Sequence, residues 1–76
     1  MNSAVILEAL ARRPFEPIRV VMSSGESYEV RHPEWALLTK TNLYIGLPGS
    51  KRDNVPQRAV HCAMLHIASI ETLQAA

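Results

Sequence analysis

The sequence predicts a fold built mainly from strands behind one short helix, and three observations carry that reading. An apolar stripe with helical spacing stops at Pro14, and residues 18–31 alternate apolar and polar around Gly25. Residues 35–47 place strand formers on both sides of a short polar turn. The C-terminal segment fits either strands or a helix, so an α+β fold stands as the alternative. A length of 76 residues admits one small domain over 1–76. The 47% hydrophobic and 20% charged fractions belong to a globular chain, not a disordered one.

The helix is expected over residues 2–12. Asn2 or Ser3 is placed to cap its free N–H groups, and Ile6, Ala9 and Leu10 share one face. Arg12 and Arg13 suit the negative end of the helix dipole. Pro14 disfavours helical geometry at Arg13 and ends the element. So short a helix is marginal alone in water and has to dock on the rest of the chain.

Strands are expected at about 17–23 and 26–31, with Ile18, Val20 and Met22 on one face of the first and Tyr28 and Val30 on one face of the second. Between them, Ser23-Ser24-Gly25-Glu26 is a turn signal, because Gly25 tolerates the positive φ a tight hairpin needs. Pro33 cannot donate a ladder hydrogen bond, so His32-Pro33-Glu34 interrupts the strand. A second hairpin is expected from strands at about 35–40 and 43–47 around Lys40-Thr41-Asn42. Residues 48–57 carry two prolines, a glycine and no apolar period, which reads as a mobile surface loop. In the tail, Val60, Ala63, Met64, Ile67 and Ile70 fall near one helical face, and periodicity slightly favours a helix. Val60 with Cys62 and Ile67 with Ser69 also allow two strands joined at Ala63-Met64-Leu65.

A resemblance bears on that choice. Arg13-Pro14-Phe15-Glu16-Pro17-Ile18-Arg19-Val20, then Gly25, then Glu29-Val30-Arg31-His32-Pro33-Glu34 stand in the order and spacing of a recurring pattern. The chain resembles a group of small uncharacterised bacterial proteins with a Pro-Phe-x-Pro-Phe signature after an N-terminal helix. Leu65 to Glu71 looks like the closing strand of that group. Ile18 stands where an aromatic is common there, and the 48–57 loop looks longer. The resemblance implies strands at about 58–62 and 66–72 in place of a tail helix. It also implies an overall likeness to Sm-like, SH3-type small barrels: a helix followed by about five strands. The group brings no established activity with it. Sm-like proteins assemble by edge-strand pairing and often bind RNA, but their Asp/Asn loop and late Arg-Gly pair have no counterpart in this chain.

Composition narrows function. Eight Lys and Arg against seven Asp and Glu leave a net charge of +1, which is not the strongly basic balance of most nucleic-acid-binding domains. The apolar run Ala4 to Leu7 has no basic residue before it and is broken by Glu8, so it is no secretory signal. No stretch approaches the roughly 18 apolar residues of a membrane span. The expectation is a cytoplasmic protein without membrane contact.

Catalytic and metal constellations are missing. His61 and His66 would fall on opposite faces of a strand, or about 140° apart on a helix. Cys62 and His66 would share a strand face about 13 Å apart, too far for one zinc ion. His32 is the remaining ligand type, and no cofactor or metal is expected. A Cys62–His32 or Cys62–His66 pair has no motif behind it, and Asp53 is the sole aspartate. Gly25, Gly46 and Gly49 form no phosphate-cradling pattern. The chain is therefore expected not to be an enzyme.

Self-association is the leading expectation. A chain this short buries only about 60% of its unfolded surface. With one cysteine it can form no internal disulfide. Partner subunits are the remaining device, and open sheet edges invite them. The functional expectation is a non-catalytic binding or assembly module forming a homo-oligomer or docking on another protein, with Val21 or Leu38 as apolar outer-face contacts. RNA binding is the alternative. Its candidate residues are Arg31, His32, Lys40, Lys51 and Arg52, with Tyr44 or Trp35 to stack a base. Against that, Arg31 is placed to pair across strands, and the large burial gain of Trp35 favours the core.

Overall fold

A cap and an apolar stripe coincide at the start of the chain, and the helix forms there. The computed structural model describes residues 1–49 and 55–73. Helix α1 (Ser3–Ala11) begins where Asn2 Oδ1 accepts the Ala4 N–H at 2.8 Å. Beyond its end, the Arg13 guanidinium donates to the carbonyls of Leu10 at 3.0 Å and Arg12 at 2.7 Å. These bonds satisfy C-terminal carbonyls that the helix itself leaves unpaired. Ile6 and Ala9 are buried, and the helix packs against one edge of the strands that follow.

Strands β1 (Ile18–Met22) and β2 (Ser27–Val30) form the first hairpin, with Val20 opposite Tyr28 and Ile18 opposite Val30. Gly25 closes it at φ 95°, with its N–H donating to Met22 O at 2.9 Å while Met22 N–H donates to Glu26 O at 2.8 Å. That is a three-residue loop with its glycine in the left-handed region. A 3-10 turn (Pro33–Trp35) then redirects the chain into β3 (Ala36–Leu38). Strand β4 (Asn42–Leu47) returns after a polar turn in which Thr39 Oγ1 accepts the Asn42 N–H at 3.0 Å. Strand β5 (Arg58–Ala63) leads through a second 3-10 turn (Met64–His66) into β6 (Ile67–Thr72).

These six strands make two antiparallel sheets of three, ordered β2-β1-β6 and β3-β4-β5. The expected small barrel of about five strands is corrected to this arrangement of six strands, which is not a closed barrel. The two 3-10 turns cause the difference: each breaks a would-be long strand and hands the chain from one sheet to the other. The alternative of a tail helix falls, and the two strands expected at about 58–62 and 66–72 form as β5 and β6. As strands, residues 58–72 pair with β4 and β1, and Cys62 and Ile67 point inward.

The core lies between the sheets and under the helix. Ile18, Val20 and Val30 meet Leu43, Ile45 and Cys62, with Ile6 closing one side. Full burial of each large aliphatic side chain contributes about 1.5–3 kcal/mol. Trp35 is not part of this cluster; it stays half-buried at the surface. Of the expected loop at 48–57, residues 50–54 lie outside the described residues. Its flanks are held: Gln57 N–H donates to Leu47 O at 2.9 Å, and Pro56 packs over Gly46. Among the described residues, no helix is long and apolar enough to cross a membrane.

Candidate functional site

The first 3-10 turn builds one cleft. Its backbone bond from Trp35 N–H to His32 O, 3.0 Å, locks residues 32 and 35 at the i, i+3 spacing. Three residues per turn bring such side chains onto one side. The His32 and Trp35 rings accordingly stand 5.4 Å apart between centroids, tilted by 56°. Pro33 fits the first position of the turn, where its missing N–H costs nothing. Glu29 on β2, Arg31 just beyond it, Leu47 at the end of β4 and the following Pro48 complete a cleft of about 310 Å³.

Arg31 is anchored there. Its Nη2 and Nε donate to Glu29 Oε1 at 2.7 and 3.1 Å. The other oxygen, Glu29 Oε2, accepts from Arg19 Nη2 at 3.3 Å, and Arg19 Nη1 reaches Glu71 Oε1, also at 3.3 Å. A ladder of alternating charge thus crosses β2, β1 and β6. The two guanidinium groups, Arg31 first and then Arg19, hold the Glu29 carboxyl below the usual carboxylate range. The expected cross-strand pairing of Arg31 is corrected: its partner is Glu29, two residues back in the chain, while Arg31 itself stands just past the end of β2.

The five cations expected to gather do not all meet. Arg31 and His32 share the cleft. Lys40 lies in a separate shallow groove beside the helix, with Leu7 and Leu38. Lys51 and Arg52 lie outside the described residues.

A different surface emerges on the outer face of the second sheet. Leu37, Tyr44 and His61 sit directly opposite one another across β3, β4 and β5. The Tyr44 and His61 rings meet edge-on with centroids 4.6 Å apart. Leu37 is 64% exposed, whereas the expected contact Leu38 packs against the core. Val21 is only half-buried on β1.

Edges complete the inventory. Strand β2 carries Glu29, and β3 is three residues long, so both edges are blunted. Strands β5 and β6 are six residues each, and each pairs with one neighbour only. From Ala59 to Ile70 the chain contains no Asp, Glu, Lys or Arg. That run covers most of both edges and the turn that joins them, and its composition was readable in the sequence.

Cys62 lies wholly in the core, and burial pushes its thiol up. Among the described residues, no three His, Cys, Asp or Glu side chains gather to hold a metal ion. No known family model matches the chain, and no curated protein or solved structure matches it either.

Proposed function

We propose that this chain is a non-catalytic assembly module that joins copies of itself along the rim formed by β5, the second 3-10 turn and β6. One observation carries the reading: the two six-residue edges of that rim pair on one side only and lack charged side chains from Ala59 to Ile70. Folded proteins ordinarily blunt such edges by charge, shortness or cover. The β2 and β3 edges are shorter, at four and three residues, and on the rim charge stands only at the far ends, at Arg58 and Glu71. Main-chain pairing between copies satisfies the open N–H and C=O groups without any special side chain.

The test is size-exclusion chromatography with light scattering on the wild-type chain and on Ala59→Lys/Ala68→Lys. Both alanines are exposed, so the double variant charges the rim without touching the core. The wild type is expected to run as a multimer and the variant as a monomer of native circular dichroism. A monomeric wild type, or a variant that keeps the multimeric mass, defeats the proposal.

RNA binding is the second reading, favoured by Arg31 and His32 standing together beside Trp35. The absorbance ratio at 260 and 280 nm across the same elution peak reads it directly, because copurified nucleic acid raises the ratio.

A further inference from the structure

We propose that the cleft between β2, the first 3-10 turn and the end of β4 binds a small planar ring that carries an oxyanion, either phosphate or carboxylate. The inference goes beyond assembly and does not depend on it, since every lining residue belongs to one copy.

The hydrogen-bonding inventory of the cleft is lopsided. Arg31 Nη1, the Trp35 indole N–H and the His32 ring have no hydrogen-bond partner among the described residues. Arg and Trp side chains donate only, and neutral His has one donor. The carboxylate in the lining, Glu29, already accepts from arginine on both oxygens. A cleft rich in spare donors, with its one carboxylate engaged, selects a ligand rich in acceptors and disfavours a cation.

Glu29 also does a second job. By holding the Nε edge of Arg31, it fixes the guanidinium plane and leaves Nη1 pointing free. With its plane fixed in advance, the free Nη1 is placed to donate to an oxygen of a phosphate or carboxylate. The same ladder that ties sheet β2-β1-β6 together therefore orients the binding group.

Shape supplies the ring. The His32 and Trp35 planes are tilted, not stacked on each other, so aromatic surface remains available. Leu47 at the end of β4 and the following Pro48 form an apolar wall. About 310 Å³ lies at the small end of ligand clefts, which run from roughly 300 to 1,000 Å³. That admits one ring system with its anionic group and excludes larger cofactors.

Trp35 is the sole tryptophan, and because it also borders a shallow groove with Tyr44 and Ala59, its emission is read together with the Arg31 variant. The full chain is titrated with AMP, benzoate, adenosine and inorganic phosphate, followed by Trp35 emission and by calorimetry. At least one ring-bearing oxyanion is expected to bind saturably, with adenosine and phosphate each weaker by about tenfold or more. AMP ahead of benzoate assigns a phosphate ligand; benzoate ahead of AMP assigns a carboxylate. Arg31→Ala is expected to lose about tenfold while keeping native circular dichroism, because Arg31 is exposed. In Trp35→Phe, which keeps an aromatic face, calorimetry is expected to retain most of the binding. Adenosine binding as tightly as AMP overturns the proposal, as does unchanged affinity in Arg31→Ala. So does a flat response to both AMP and benzoate. A single-stranded RNA that binds the chain and is displaced by neither compound overturns it in favour of a nucleic-acid surface.

Discussion

Pro56 covers Gly46 so closely that a Cβ built on the glycine would stand 2.7 Å from Pro56 Cγ and 2.8 Å from Pro56 Cβ. The proline ring cannot swing aside as a long side chain would, and the Trp35 carbonyl lies 3.4 Å away on another flank. Gly46→Ala is expected to cost about 1–3 kcal/mol, the usual penalty of overpacking. Pro56→Gly in the same chain should recover part of that loss. Denaturant midpoints of the two single variants and the double variant check it, since strictly additive losses would rule out the contact as the cause.

Gly25 tests a different constraint. Nothing lies within 4 Å of a Cβ placed there, but its φ is 95°. Gly25→Ala is expected to destabilise by about 1–2 kcal/mol through backbone conformation alone. Replacing Gly25 by Asn, which tolerates that region better, should cost less than Ala. Equal midpoints for wild type and Gly25→Ala would contradict the turn geometry.

Acid should act through Glu29. Its folded carboxyl is held below the ordinary value by Arg31 and Arg19. A lowered carboxylate contributes stability that is present above its unfolded pKa and is lost as pH falls through its folded pKa. The stability difference between wild type and Glu29→Gln is thus expected at neutral pH and to disappear in acid. Both partners are partly exposed, so added salt should shrink the difference as well. Urea titrations of both proteins from neutral pH into acid decide it; a difference constant with pH excludes this ion pair as its origin.

Cys62 is fully buried and its thiol is raised by burial, so little thiolate forms near neutral pH. A thiol reagent should label the native protein slowly and the urea-unfolded protein at once. Fast labelling of native protein would place Cys62 at the surface and contradict the packing of β5 on β4.

Ile6 is 0% exposed and anchors the helix on the sheets. Ile6→Ala is expected to cost about 2–5 kcal/mol, as other buried large-to-small changes do. Val5→Ala, a neighbouring position 45% exposed, should cost far less. Equal losses would mean that the helix docks through another face.

Local signals were the legible ones. Asn2 as cap, the stripe through Ile6 and Ala9, and the turn at Gly25 each depend on residues close in sequence, so pattern alone finds them. Trp35 shows where such reasoning fails. Its area argues for the core, yet the 3-10 turn after Pro33 rotates it onto the surface beside His32. Leu38, expected on the outer face, packs against the core and Leu37 is exposed instead, because the turn sets the parity of β3 and a one-residue shift exchanges the two faces. The charge ladder was half visible. Glu29 and Arg31 are only two residues apart in the chain, but Arg19 and Glu71 meet only through the β1–β6 register. Lys40 fell away from Arg31 because it sits in the turn between β3 and β4, in a separate groove beside the helix.

That same register, which sets Ile18 opposite Thr72, governs how the protein leaves the ribosome. One neighbour of β1 is the next strand in the chain, and the other, β6, follows only after β3, β4 and β5. Until Thr72 has emerged, β1 keeps one open side, and Ile18 and Val20 lack the cover of Ile67. A chain that has not yet formed β6 therefore presents an unfinished sheet edge to its surroundings.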